Sequence, residues 1–123
     1  MAGPETGLTG TVEIVVGEAD LAIALGSGDV PVMGTPRMVA LAEAATVAAL
    51  AGALDEGYTS VGTRVDMRHL AASPVGRTVR AIAEVIRVDK RLVVFSVQVH
   101  DDNGLVGDGT VERVIVNRAK FIG

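Results

Sequence analysis

The chain has 123 residues, a formal net charge of −4 and no cysteine, a length suited to one domain with a real hydrophobic core and short for two. The missing cysteines exclude a disulfide scaffold and thiolate chemistry, and the scattered basic residues argue against a nucleic-acid surface. Apolar residues make up 49% of the chain and mean hydropathy is +0.43, but no apolar run reaches the length of a membrane span, so no membrane contact is expected.

The N-terminal Met-Ala-Gly-Pro-Glu-Thr-Gly lacks the basic start and apolar core of a signal peptide, and a cytoplasmic location is expected. Residues 11–16, Thr-Val-Glu-Ile-Val-Val, read as a first strand. A short amphipathic helix is expected over residues 18–25, followed by a Gly-Ser-Gly break and a loop to Gly34. Thr35-Pro36 is a helix start, an N-cap hydroxyl followed by Pro at the first helical position. The predicted helix runs over residues 35–54 and stops before Gly57. It is apolar nearly all round, so a central, buried position is expected.

Four β-rich stretches follow. In residues 59–70, alternation places Val61, Thr63, Val65, Met67 and His69 on one face, with Arg64, Asp66 and Arg68 on the other. Residues 76–88 and 92–100 are joined at a tight Asp89-Lys90 turn. In the second of these, Val93, Phe95, Val97 and Val99 share a face. Asp102-Asn103-Gly104 carries the Asn-Gly hairpin signal, and the last strand, residues 105–116, contains Gly107 and Gly109, where a bulge or close backbone approach is expected. Strand, long helix, then a four-strand meander implies an α+β domain, one antiparallel sheet curled around one helix.

Glu43 is the only charged residue between Arg37 and Asp55. A carboxylate buried in such a helix costs several kcal/mol unless paired, hydrogen-bonded or protonated; the other reading is an exposed Glu on a half-covered helix. If the alternating face of the second strand packs on the helix, His69 points toward the element that carries Glu43, and an acid near an imidazole in an apolar setting is suited to proton transfer. A strand-end histidine can equally be structural. Thr35 is explained as a cap. The same helix terminus could also present backbone N–H groups to an oxyanion, with Arg37 and Met38 as donors because Pro36 has none. Thr35 and Glu43 lie about 12 Å apart along a regular helix, so a substrate between them, a bent loop or a second subunit is needed to unite them. Arg37, Arg64, Arg68, Arg77, Arg113 and Lys120 are either solvated surface or contacts for carrier phosphates. His69 and His100 lack a second histidine at helical spacing and accompanying carboxylates, so no metal is expected; no P-loop, dinucleotide fingerprint or repeat is present.

The order Thr35, Glu43, His69 stands in the contexts Gly-Thr-Pro-Arg-Met-Val-Ala-Leu-Ala-Glu and Val-Gly-Thr-Arg-Val-Asp-Met-Arg-His-Leu-Ala-Ala-Ser-Pro-Val-Gly. With Gly109-Thr110-Val111-Glu112-Arg113 and Lys120-Phe121, it resembles the hotdog-fold thioesterases related to fluoroacetyl-CoA thioesterase over about residues 30–122. The resemblance implies a single hotdog domain over residues 1–123, a long helix wrapped by a five-stranded antiparallel sheet. It implies a homodimer, with further pairing into a tetramer left open, with active sites at the subunit interface, and hydrolysis of a small acyl-CoA with no cofactor beyond the coenzyme A of the substrate. Thr35 would bind or attack the thioester carbonyl, Glu43 would be nucleophile or water-activating base, and His69 would be acid/base toward the thiolate. Gly62 would line the acyl pocket, with Gly34, Arg37 and Met38 also binding substrate. Residues 18–34 contain no aromatic, unlike the segment with which the fluoroacetyl enzyme closes its pocket, which points to a different acyl group. A non-hydrolytic acyl-CoA or acyl-carrier binding protein is the alternative. A hydratase is a third reading, weakened by the lack of an Asp-His hydratase-type motif.

Overall fold

A computed structural model describes residues 3–123. The strands are β1 (Thr9–Val15), β2 (Tyr58–His69), β3 (Thr78–Asp89), β4 (Leu92–Asp101) and β5 (Gly104–Asn117), and the helices are α1 (Ala22–Leu25), α2 (Thr35–Ala49) and α3 (Arg118–Ile122). All five strands form one antiparallel sheet in the order β1-β3-β4-β5-β2. The meander is therefore three strands long, β3-β4-β5, and not four. β2 lies beside β5, and β1 closes the opposite edge on β3.

The alternation read from the sequence holds in β4, and β3 beside it alternates in the same way. Val79, Ala81, Ala83 and Val85 of β3 and Val93, Phe95, Val97 and Val99 of β4 are all buried. They meet Met38, Leu41, Ala42, Ala45 and Ala49 of α2 in one continuous core. Small residues let the layers close. A side chain at Gly10 of β1 would collide with the backbone of Ala45 and Ala49, so glycine there lets the strand lie directly on the helix.

Four local expectations change. Residues 18–25 do not form one helix: Glu18–Asp20 is a 3-10 turn, Leu21 is extended and bridges to Met33, and α1 is a single turn ended by Gly26 in the left-handed region (φ 72). α2 stops at Ala49 and not at residue 54, because the chain turns through Gly52 at φ 78. α2 is also not buried all round. Ala40 and Ala44 are exposed, and Val47 is 51% exposed, so an apolar stripe of the helix lies open in the single chain. Both hairpin turns shift by one residue: Lys90 (φ 57) and Arg91 link β3 to β4, one later than read, and Asp102-Asn103 link β4 to β5, one earlier than the Asn-Gly pair, with the Asp101 carboxylate accepting from the Asn103 N–H.

Candidate functional site

β2 contains a bulge between Gly62 and Arg64, so its parity changes in mid-strand. Gly62 pairs with Arg113, Val65 with Val111, Met67 with Gly109 and His69 with Gly107. Paired residues of antiparallel strands point the same way, so Gly62 shares the helix-facing side with His69. Val61 and Thr63, expected on that side, do not belong to it. A single extra residue thereby aims two candidate positions at α2.

At the N-terminal end of α2, the N-cap is Gly34 and Thr35 is already the first helical residue, with no side-chain cap bond. The Thr35 hydroxyl is instead 2.8 Å from His69 Nδ1. The cap explanation of Thr35 thus fails, and its hydroxyl is committed to the imidazole. His69 is held there by β5, where Gly107 lies opposite and a side chain would collide with Met38 Sδ and the Arg68 carbonyl. A bulge at Val106 then turns its carbonyl toward the N–H groups of Leu70 and Ala71, at 2.6 and 3.2 Å, which fixes the chain just after His69. Burial lowers the His69 pKa below the usual imidazole value, partly opposed by the Ala71 backbone, so the ring is neutral at pH 7. Its Nε2 is buried and has no hydrogen-bond partner among the described residues.

The backbone donors differ from expectation. The N–H groups of Arg37 and Met38 both bond to the Gly34 carbonyl, at 3.0 and 3.1 Å, and Met38 is fully buried. The Arg37 guanidinium bonds to Asp20 at 2.8 Å. Asp20 also accepts from Gly17 N–H, which is the main reason its carboxyl pKa is lowered, and its carbonyl accepts from Gly34 N–H. Arg37 and Asp20 therefore anchor the helix start. Among the described residues, Thr35 is the first helical residue whose N–H finds no partner.

Glu43 belongs to a different environment. Its side chain is 38% exposed and lies 3.6 Å from Arg113 Nη1, while the Arg113 side chain is only 8% exposed. The carboxylate sits over Gly62, where any side chain would collide with Oε2. Arg113 is held by the Ser60 hydroxyl at 2.8 Å and the Ser60 carbonyl at 3.0 Å, and reaches Thr46 Oγ1 at 3.5 Å. Burial lowers the Arg113 pKa and the Glu43 charge opposes that shift. Glu43 is thus not the sealed acid of the first reading but a half-exposed carboxylate backed by a buried cation. Arg113 was read only as one of several scattered charges. Its partners lie 53 and 67 residues away in sequence, and no local pattern marks it.

The structure accordingly joins Thr35 to His69 and Glu43 to Gly62 and Arg113, but among the described residues no hydrogen bond or ion pair links the two groups. A cavity of about 340 Å³ adjoins the Thr35–His69 pair, walled by the 27–34 loop and by Leu70, Ala71 and Ala72. Of the other basic residues, Arg68 pairs with Asp108 and Arg77 with Asp101. Among the described residues no three His, Asp or Glu side chains come together as metal ligands, and no helix is long and apolar enough to cross a membrane.

A family model described as fluoroacetyl-CoA-specific thioesterase matches residues 16–119. The fluoroacetyl-CoA thioesterase of Streptantibioticus cattleyicolor is 40% identical over 90 residues, which are 73% of this chain and 65% of that protein, so the match spans just under two thirds of the relative's length. A solved fluoroacetyl-CoA thioesterase structure superposes with a TM-score of 0.90 at 34% identity, covering 98% of this chain and 93% of the other. A thioesterase superfamily member from Thermus thermophilus superposes with a TM-score of 0.91 at 29% identity, covering 99% of this chain and 90% of that one.

Proposed function

Because the chain belongs to the fluoroacetyl-CoA-specific thioesterase family, we propose that it hydrolyses an acyl-CoA thioester to a carboxylic acid and free CoA, with Glu43, His69 and Thr35 as the catalytic set. The observation that carries this reading is the 2.8 Å contact between the Thr35 hydroxyl and the His69 imidazole, whose burial keeps the ring neutral. A hydroxyl poised on a neutral imidazole is a proton-transfer unit. In the proposed reaction Glu43 takes a proton from the water that adds to the thioester carbon. Thr35 hydrogen-bonds the carbonyl oxygen as negative charge develops there, and the neutral His69 takes up a proton on one ring nitrogen as it yields one from the other, so that the proton removed from water ends on the departing thiolate.

Arg113 supports the role of Glu43, since a buried cation 3.6 Å behind a carboxylate helps to hold it in place. The lack of a side chain at Gly62 leaves room for that carboxylate. The separation of Thr35–His69 from Glu43 is met by a second copy of the chain. In a two-fold dimer the same surface faces itself, so the Thr35–His69 pair of one protomer can meet Glu43 of the other. The open apolar stripe of Ala40, Ala44 and Val47 on α2 fits such a partner. A CoA substrate is consistent with a cytoplasmic protein.

Thiol release from acyl-CoA, measured on mixed variants, tests both parts. Glu43→Ala and His69→Ala should each be inactive alone. Co-refolded together they should recover about a quarter of wild-type turnover, one intact site in half of randomly paired dimers. No recovery in a confirmed heterodimer refutes the shared site. Tight acyl-CoA binding without thiol release, in the wild type, refutes hydrolysis and favours a binding protein.

A further inference from the structure

The cavity beside Thr35 and His69 bears on which acyl group is used, and the inference rests on the thioesterase reading above. Its bulkier wall side chains are aliphatic, Ala22, Val30, Val32 and Met33 on one side and Leu70 and Ala71 on the other, while Ser27, Thr35, His69 and glycine backbone give it a polar part. Among the described residues that line it none is charged at neutral pH, since His69, its one ring, is held neutral by burial. A site for the phosphates of the coenzyme would need cations, and this one offers none. A site for an apolar tail needs walls of this kind.

Size narrows the class further. The cavity measures about 340 Å³, and a two-carbon acyl group, with the bulk of about two waters at about 30 Å³ each, would leave most of it filled with solvent. Val30, Ala71 and Ala72 are exposed at its rim, so the outer part stays wet. If the acyl group occupies half of it, there is room for roughly six carbon-sized groups. The walls are supported from behind. Ser73, fully buried, donates to Asp101 at 3.0 Å, Arg77 binds the same carboxylate at 3.2 Å, and Met33 N–H bonds to the Ser73 carbonyl at 2.8 Å. The segment after His69 and the loop before Thr35 are thereby tied to one another and to β4, which makes the cleft a fixed feature of the fold.

We propose that this cavity receives the acyl chain of the substrate, and that the preferred substrate is an uncharged aliphatic acyl-CoA of about four to six carbons, straight or branched. Burial of each added methylene against these walls raises kcat/KM by about fourfold, up to the filling of the inner half. An acyl chain carrying a terminal carboxylate is disfavoured, because the walls offer that charge no cation.

The test is thiol release by the full chain on acetyl-, butyryl-, isovaleryl-, octanoyl- and succinyl-CoA. Butyryl- and isovaleryl-CoA are expected to exceed acetyl-CoA in kcat/KM by tenfold or more, with succinyl-CoA poorest. Acetyl-CoA equal to or better than butyryl-CoA overturns the inference while leaving the thioesterase reading intact; no thiol release from any member overturns that reading instead. Ala71→Phe places a ring into the cleft from an exposed position, and is expected to lower the butyryl-to-acetyl ratio at least tenfold. An unchanged ratio in the folded variant assigns the acyl chain elsewhere and refutes the proposal. If that variant does not fold, the wild-type ratio alone decides.

Discussion

The start and the middle of α2 hold chemically opposite environments. At the N-terminal end a hydroxyl and an imidazole meet without net charge, in a cleft whose bulkier wall side chains are aliphatic. Two turns on, a half-exposed carboxylate faces a buried guanidinium over a residue with no side chain. Both places use β2 and β5 to position their groups, His69 opposite Gly107 and Gly62 opposite Arg113. The contrast teaches that the candidate groups of one chain form two separate clusters, the first suited to carrying a proton and the second to holding a negative charge.

The largest effect is expected at the charged cluster. Glu43→Gln keeps the volume and removes the base, and kcat should fall about 1,000-fold, within the usual range for a general base. A loss under tenfold in steady-state thiol release would mean that the Thr35–His69 cluster acts alone, and the comparison between the clusters would collapse. A smaller effect is expected from Gly62→Ala, whose new methyl would occupy the place of Glu43 Oε2. Displacing the carboxylate by about 1 Å should lower kcat roughly tenfold or more while the thermal unfolding midpoint changes little, since Gly62 is not in the core. A wild-type rate in Gly62→Ala would show that Glu43 need not sit over β2.

The mildest test concerns pH and the uncharged cluster. Burial lowers the His69 pKa below its ordinary value of 6.5, so the acid limb of the kcat/KM profile should have its midpoint below 6.5. The linkage runs in the same direction. Below 6.5 the unfolded chain binds a proton that the folded imidazole resists, so this group's contribution to stability is full above 6.5 and is lost as pH falls through the folded pKa. An acid limb centred at or above 6.5 that His69→Gln abolishes would contradict a desolvated, neutral ring.

Much of this arrangement was legible before any coordinates. The period-two pattern of β4 set Val93 to Val99 on one face, which lies in the core, and the apolar run after Pro36 located α2. Glu43, Thr35, His69 and Gly62 stood out by type, spacing and family likeness. The reading of β2 failed at one residue. Alternation has no means of registering a bulge, and from Thr63 backward every side was assigned wrongly. Thr35 was read as a cap because Thr-Pro is a good helix start; the Gly34 N-cap and a histidine 34 residues away changed its role. Arg113 was missed because its neighbours in sequence, Glu112 and Val114, say nothing about Ser60 and Thr46.

By itself the sequence determined the five strands, the long helix, the apolar face of β4 and the candidate side chains, because helix and strand periods are local properties of a few consecutive residues. The tertiary structure alone decided the edge position of β2, the parity change that turns Gly62 and His69 to one side, the union of Thr35 with His69 and the cation behind Glu43. Each of these depends on strand register and on contacts between residues tens of positions apart, and the energy that selects them is gained only when the sheet closes over the helix.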